Sequence, residues 1–264
     1  MLDTENRGTI IGSIAQGLKL KRHQVENVIN LLEEDNTIPF IARYRKERTG
    51  GLDEVEINAI AEEWQYAQAL HKRKDEVLRL IEEQGKLTDE LEQAIKIANK
   101  LQEVEDLYRP YKQKRRTRAT IAKEKGLEPL ADWLMTLPKG SVEEKAAQFL
   151  SDEKEVKTIE DALNGANDII AERLSDDADI RKYIREVTFS KGLLTTEKKS
   201  KAEDEKGTYE MYYQYEEKVD KIVPHRILAI NRGEKDDVLK VAILPPEDQI
   251  IQWLERRLLK DPDT

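Results

Sequence analysis

From Asp53 to Gly85 apolar residues return at helical spacing: Ile57, Ile60, Trp64, Ala67, Leu70, Leu78 and Ile81. A stripe of that period and length commits the segment to one long helix with one buried face. Asp53 and Glu56 have capping-box spacing, and Leu52 and Ile57 take the positions of a hydrophobic staple. Gly85 stands where a helix-ending glycine belongs. A second stripe opens after Thr88, with Asp89 and Glu90 at its electropositive end. It runs through Leu91, Ala94, Ile95, Ala98, Leu101 and Val104 to about Leu107. The short connection predicts a long antiparallel helix hairpin over residues 53–108.

The rest of the chain reads as mainly α and multihelical. Upstream, Ile10, Ile11, Ile14 and Leu18 form one stripe and Val25, Val28, Ile29 and Leu32 the next, joined at Gly17–Lys21. That is a helix–turn–helix-like N-terminal part over residues 1–52. Arg22, His23 and Gln24 open its second helix with residue types that read base edges, although plain packing hairpins share the shape. A multihelical body extends over 53–190. In it, Pro129 opens a helix to Leu137, Ser141 and Glu144 cap another, and Thr158 starts a third. Gly165 in that third stripe implies close helix contact, and a further helix runs from Asp177 to Val187.

Residues 191–264 form a mixed segment. Lys198–Lys206 is almost wholly polar and reads as a mobile loop. Tyr209, Tyr212, Tyr213 and Tyr215 read as helix, and Pro224–Arg232 as a short helix ending at Gly233. A minor β element is expected near 237–244, with no identifiable partner strand, before a last helix over Gln249–Leu259.

Chemistry is excluded more readily than found. With no cysteine in 264 residues, disulfides, thiolate zinc sites and iron–sulfur clusters are out. No phosphate-cradling glycine loop, nucleophile elbow or two-histidine metal spacing occurs, and His23, His71 and His225 are far apart. No catalytic residue, metal or cofactor is expected. Leu, Ile, Val and Phe make up a quarter of the chain, enough for a core. No apolar run reaches membrane-helix length, and Met1–Thr9 lacks a signal-peptide pattern, so a cytoplasmic location is expected.

The net charge of −9 rules out nucleic-acid binding by bulk attraction. Positive charge is instead concentrated twice. The first concentration is Arg43, Arg45, Lys46 and Arg48, and the second is Arg109, Lys112, Lys114, Arg115, Arg116 and Arg118. Tyr108 and Tyr111 flank the second run, and cations beside aromatic rings suit phosphates and unstacked bases. These twelve residues are the candidate nucleic-acid site. The same rings also suit core anchors with arginine stems laid over them, and Arg43 and Arg45 suit a turn anchored through carboxylates. In a two-armed hairpin both basic segments hang off the same end and form one composite patch. Six phosphate contacts by the second run would give a log–log salt slope near −4 on single-stranded RNA, at about −0.7 per phosphate.

Three stretches carry a resemblance. They are Ile38–Glu47 with Thr49-Gly50 and Leu52-Asp53-Glu54; Asp106–Lys112 with Lys114–Thr117, Ala122 and Gly126–Ala131; and His225–Glu234. Together they resemble the N-terminal region of the bacterial Tex proteins, transcription accessory proteins whose eukaryotic relative is an elongation factor and histone chaperone. The resemblance implies a multihelical region that precedes an RNase-H-like domain, a helix–hairpin–helix segment and an OB-fold RNA-binding domain. The chain is therefore expected to be an N-terminal fragment. RNA or single-stranded nucleic acid, bound mainly through the domains absent here, and the transcription machinery are the implied partners. The expected function is a non-catalytic scaffold with an auxiliary basic RNA contact. The alternative is a protein-interaction module with no nucleic-acid contact of its own.

Overall fold

The computed structural model describes residues 4–113 and 115–259. It is mainly α, with one small antiparallel sheet, and divides into two compact units, Met1–Tyr111 and Lys112–Thr264.

The first unit opens with α1 (Thr4–Leu18) and α2 (Arg22–Glu33), joined by a three-residue turn in which Lys19 takes φ +57°. Two short helices follow, α3 (Ile38–Tyr44) and α4 (Lys46–Thr49), before the long α5 (Glu54–Glu82). The capping box at the start of α5 is real: the Asp53 carboxylate accepts from Glu56 N–H at 2.8 Å, and Glu56 accepts from Asp53 N–H at 2.9 Å. Ile11, Ile14, Val25, Val28, Ile29, Ile41, Ile57, Ile60 and Trp64 close into one core. Full burial of each aliphatic side chain there contributes about 1.5–3 kcal/mol.

The second arm of the hairpin is not one helix. It is α6 (Asp89–Ile97) followed by α7 (Leu101–Tyr108) and a 3-10 turn, Arg109–Tyr111. Between them the Glu103 carboxylate accepts from the N–H groups of Asn99 (2.9 Å) and Lys100 (3.3 Å), which caps a new helix and lets the chain reverse. The direction follows from the contacts to α5. Lys74 Nζ donates to Lys96 O at 2.7 Å, so α6 runs back along α5. Leu101 N–H donates to the Tyr66 hydroxyl at 3.1 Å, Arg73 Nε to Glu105 at 2.5 Å, and Gln84 Nε2 to Tyr111 O at 3.0 Å. Helix α7 therefore runs forward again and delivers Tyr108–Tyr111 to the C-terminal end of α5. Arg43–Arg48 lies at its N-terminal end, about 40 Å away at 1.5 Å per residue. Within this unit Tyr108, Arg109 and Tyr111 therefore lie at the opposite end of α5 from Arg43–Arg48 and not at a shared hairpin end, because α6 and α7 pass along α5 twice where one return arm is expected.

The second unit begins with α8 (Arg118–Glu124), α9 (Glu128–Met135) and α10 (Val142–Ala147), which pack against α11 (Ile159–Asp176). Thr158 caps α11 as its spacing predicts, accepting from Asp161 N–H at 3.0 Å. Leu127, Leu130, Ala162, Ala166 and Ile169 lie in its core. Helix α12 (Ala178–Lys191) leads into β1 (Leu193–Lys198). The strand β3 (Leu239–Leu244) falls where a β element is expected, and its partner is β1, which also pairs with β2 (Gln214–Lys218). The sheet order is β2-β1-β3, antiparallel throughout. Helices α13 (Pro224–Lys235) and α14 (Glu247–Leu258) complete the unit.

Two sequence expectations give way here. The tyrosine segment is a 3-10 turn (Glu210–Tyr212) and then β2, not a helix. Its turn is tied by Asp204, which accepts from Tyr209 N–H (2.8 Å), Thr208 N–H (3.0 Å) and the Tyr213 hydroxyl (2.9 Å). Gly233 does not end α13 but sits inside it. A Cβ there would come within 2.6 Å of Leu239 Cδ1 and 3.0 Å of Tyr209 Cδ1, so close approach to the sheet accounts for this glycine.

The Asp204 knot carries a pH prediction. The Tyr209 N–H, then the Thr208 N–H and the Tyr213 hydroxyl, hold the Asp204 carboxyl below its usual range. A carboxyl lowered in the native state stabilises it above the ordinary aspartate pKa of about 3.9 and loses that contribution as pH falls through the native value. Asp204→Asn is expected to be less stable than the parent at pH 7, with the gap closing below about pH 4. Urea midpoints at the two pH values check this.

Candidate nucleic-acid interface

The basic corner at Phe40–Arg48 is built on α3. Pro39 starts that helix within its first turn, and Ile41 and Ala42 are buried, which turns the remaining face outward. Tyr44 is 65% exposed, with its ring 5.2 Å from that of Phe40 and tilted by 45°. The Arg45 guanidinium lies 4.9 Å from the Phe40 ring centre and donates to Tyr44 O at 3.3 Å. Arg43 and Lys46 are exposed. Among the described residues no carboxylate lies within ion-pair distance of Arg43, Arg45 or Lys46, so anchoring of the turn through carboxylates is not what these arginines do. Arg48 is different: both guanidinium nitrogens reach the Glu34 carboxylate at 3.3 Å.

Helix α2 fixes this corner from behind. Gln24 Nε2 donates to Thr49 O (3.2 Å) and Gly50 O (3.4 Å), and Asn27 Nδ2 to Arg48 O (2.7 Å). Gly50 (φ +69°) and Gly51 (φ +86°) supply the left-handed backbone that turns the chain into α5. Arg22 donates to Gly8 O at 3.2 Å. Arg22 and Gln24, the base-reading candidates, are thus engaged in holding α2 to α1 and to the α4 turn.

The second basic run is organised differently. Tyr108 is buried, only 8% exposed, with the Arg73 guanidinium 5.4 Å over its ring. Arg73 is itself held by Glu105 at 2.5 Å and Glu76 at 2.8 Å, and the hydrogen bond to Glu105 raises its pKa above the ordinary arginine value. Tyr111 is half-buried against the same core. Both rings anchor the first unit. Arg109, Lys112 and Arg115 are exposed. Arg116 meets Glu124 at 2.6 Å and Arg118 meets Asp168 at 3.6 Å, although the Arg118 side chain remains 88% exposed. Lys114 lies outside the described residues. The acid-free appearance of this run in sequence is lost where α8 folds beside α11.

Tyr44 is the ring that sequence reasoning passed over as a contact residue. The signal was present, since it stands between Arg43 and Arg45 as Tyr108 stands before Arg109. Among the described residues no cluster of histidine and carboxylate side chains is arranged to hold a metal. No described helix is long and apolar enough to cross a membrane.

Comparison with known families matches residues 8–82 to the Tex-like protein N-terminal domain and residues 138–258 to the Tex central region-like family. YdcI of Bacillus subtilis is 57% identical over 253 residues, covering 95% of this chain and 35% of that protein. Transcriptional accessory protein Tex of Neisseria gonorrhoeae is 39% identical over 236 residues, covering 89% and 31%. Human S1 RNA-binding domain-containing protein 1 is 30% identical over 237 residues, covering 86% and 24%. The chain thus spans about a quarter to just over a third of the length of these relatives.

Proposed function

The chain belongs to the Tex family, and on that premise we propose that it is a non-catalytic, cytoplasmic scaffold region of a transcription accessory protein with an auxiliary contact to single-stranded RNA. One relative is named as a transcriptional accessory protein and another for an RNA-binding domain, which supports the class of partner. The observation that carries the RNA contact is the corner at Tyr44. It offers an exposed ring beside three cations that meet no carboxylate among the described residues. A ring and unneutralised cations are what stacking on bases and contact with phosphates require. Arg43, Arg45 and Lys46 bind the backbone in this reading, and Tyr44 stacks on a base. Arg48, Arg116 and Arg118 are secondary, because each must leave a carboxylate to reach a phosphate. Tyr108 and Tyr111 hold the fold.

The test is affinity of the chain for a single-stranded RNA oligomer at low salt. Arg43→Gln with Lys46→Gln is expected to weaken binding by about tenfold, whereas Arg116→Gln with Arg118→Gln changes it by less than about twofold. Equal losses from the two double variants, or no RNA affinity at all, contradict the assignment.

A further inference from the structure

The sheet of the second unit has two edges, and they differ. The outer strand β2, QYEEK, is short and charged, as guarded edges are. The outer strand β3, LKVAIL, has one lysine near its start, then four apolar residues, and neither proline nor glycine. Ile243 is 53% exposed and Leu244 48% exposed. Helix α13 crosses the sheet face rather than covering this edge, because Gly233 abuts Leu239 of β3 while Arg226 reaches Glu217 of β2 at 2.7 Å.

The hydrogen bonds fix which backbone groups of β3 face outward. Lys199 N–H donates to Val238 O at 2.9 Å, whereas Lys198 N–H donates the other way, to Tyr213 O at 3.0 Å. Bonded pairs alternate along an antiparallel ladder, so in the register that sets Leu193 against Leu244, residues Lys240, Ala242 and Leu244 are the ones bonded to β1. The N–H and C=O groups of Leu239, Val241 and Ile243 point away from the sheet, and among the described residues they meet no hydrogen-bond partner.

We propose that this edge pairs with β3 of a second copy of the chain, antiparallel about a two-fold axis at Val241. Unpaired groups on an unguarded apolar edge are a template for a further strand, and the spacing within β3 makes the strand complementary to itself. Centred on Val241, the outward residues meet one another: Val241 faces Val241, Leu239 faces Ile243, and all three bonded pairs of the ladder form. Lys240 then faces Ala242. Sliding the pairing by two residues one way sets Lys240 against Lys240, which like charges oppose. Sliding it the other way sets Leu239 against Pro245, which has no N–H to give. One six-residue ladder is smaller than the roughly 1,200 Å² at the low end of stable interfaces, so the dimer is reversible, with a dissociation constant of about 10–100 µM.

The chain has no cysteine, so introduced thiols report the register. Lys240→Cys chains mixed with Ala242→Cys chains place two thiols opposite each other in a non-bonded pair, with Cα atoms about 4.5 Å apart and within disulfide reach. Mild oxidation of the mixture is expected to link the two variants, and several-fold less product is expected from either alone. Sedimentation equilibrium of the parent chain is expected to show monomer and dimer. Ile243→Pro removes an N–H that has no partner within the chain, so it should fold and weaken the dimer by at least about tenfold. Ile243→Lys, a charge on an exposed edge position, is expected to do the same and stands in if the proline variant does not fold. A chain that stays monomeric at every concentration overturns the proposal, and the edge is then open to a strand of a different protein. Cross-linking by either single variant as efficient as by the mixture, or a dimer unchanged by Ile243→Lys, also overturns it.

Discussion

Replacing Gly165 with valine is expected to destabilise the second unit by about 3 kcal/mol, the upper range for overpacking a tight core. Gly165 lies inside α11, where a glycine otherwise costs about 1 kcal/mol relative to alanine. A Cβ at this position would sit 2.3 Å from Leu127 Cδ1 and 3.3 Å from the Ala122 Cβ. Leu127, at the start of α9, is fully buried, so α11 must separate from α8 and α9 or the side chains must leave their rotamers. Gly12 supplies the control. It also lies within a helix, but no atom comes within 4 Å of its added Cβ, and Gly12→Ala is expected to stabilise by up to about 1 kcal/mol. Urea unfolding followed by circular dichroism measures both. A Gly165→Val protein as stable as the parent shows that α11 does not approach α8 as closely as described.

Tyr44→Ala is expected to have the larger effect on function and almost none on stability. A base stacked on an aromatic side chain contributes about 1–3 kcal/mol, so RNA affinity should fall by some five- to hundredfold. Because the ring is mostly solvent-exposed, its removal takes little buried area away. Tyr44→Phe should retain most of the affinity, since the stacking face is kept. Tyr108→Ala is expected to do the reverse: it removes a buried ring from the core of α5, α6 and α7 and lowers stability. Paired RNA titrations and thermal melts of these variants separate a ring that binds from a ring that packs. A Tyr44→Ala variant with parental RNA affinity removes stacking from the account.

Much of the fold was legible in the chain, because local chemistry and burial agree. The Asp53–Glu56 and Thr158–Asp161 caps, the apolar stripes of α2, α5 and α11, and Pro129 and Pro224 in the first turns of their helices all formed where their spacing placed them. The losses have physical reasons. The break between α6 and α7 depends on Glu103 capping backwards onto Asn99 and Lys100, while the apolar stripe runs on through both helices. The strands β1 and β2, LLTTEK and QYEEK, carry too many polar residues to announce themselves, and the turn that carries Tyr209 and Tyr213 is tied by Asp204 from outside the strands. At the site, sequence showed where charge is concentrated but not which charges are already answered. Glu124, eight residues from Arg116, answers it across α8 itself, and Asp168, fifty residues from Arg118, answers it only once α8 packs on α11. The exposure of Tyr44 likewise depends on which face of the short helix α3 meets the core.

The most direct test of the RNA contact is the salt dependence of binding to single-stranded RNA. Three phosphate contacts through Arg43, Arg45 and Lys46 give a log–log slope near −2, at about −0.7 per contact, and a loss of about sixteenfold between 50 and 200 mM salt. A slope near −4 that persists when those three residues are neutralised would transfer the contact to the second basic run and contradict the account.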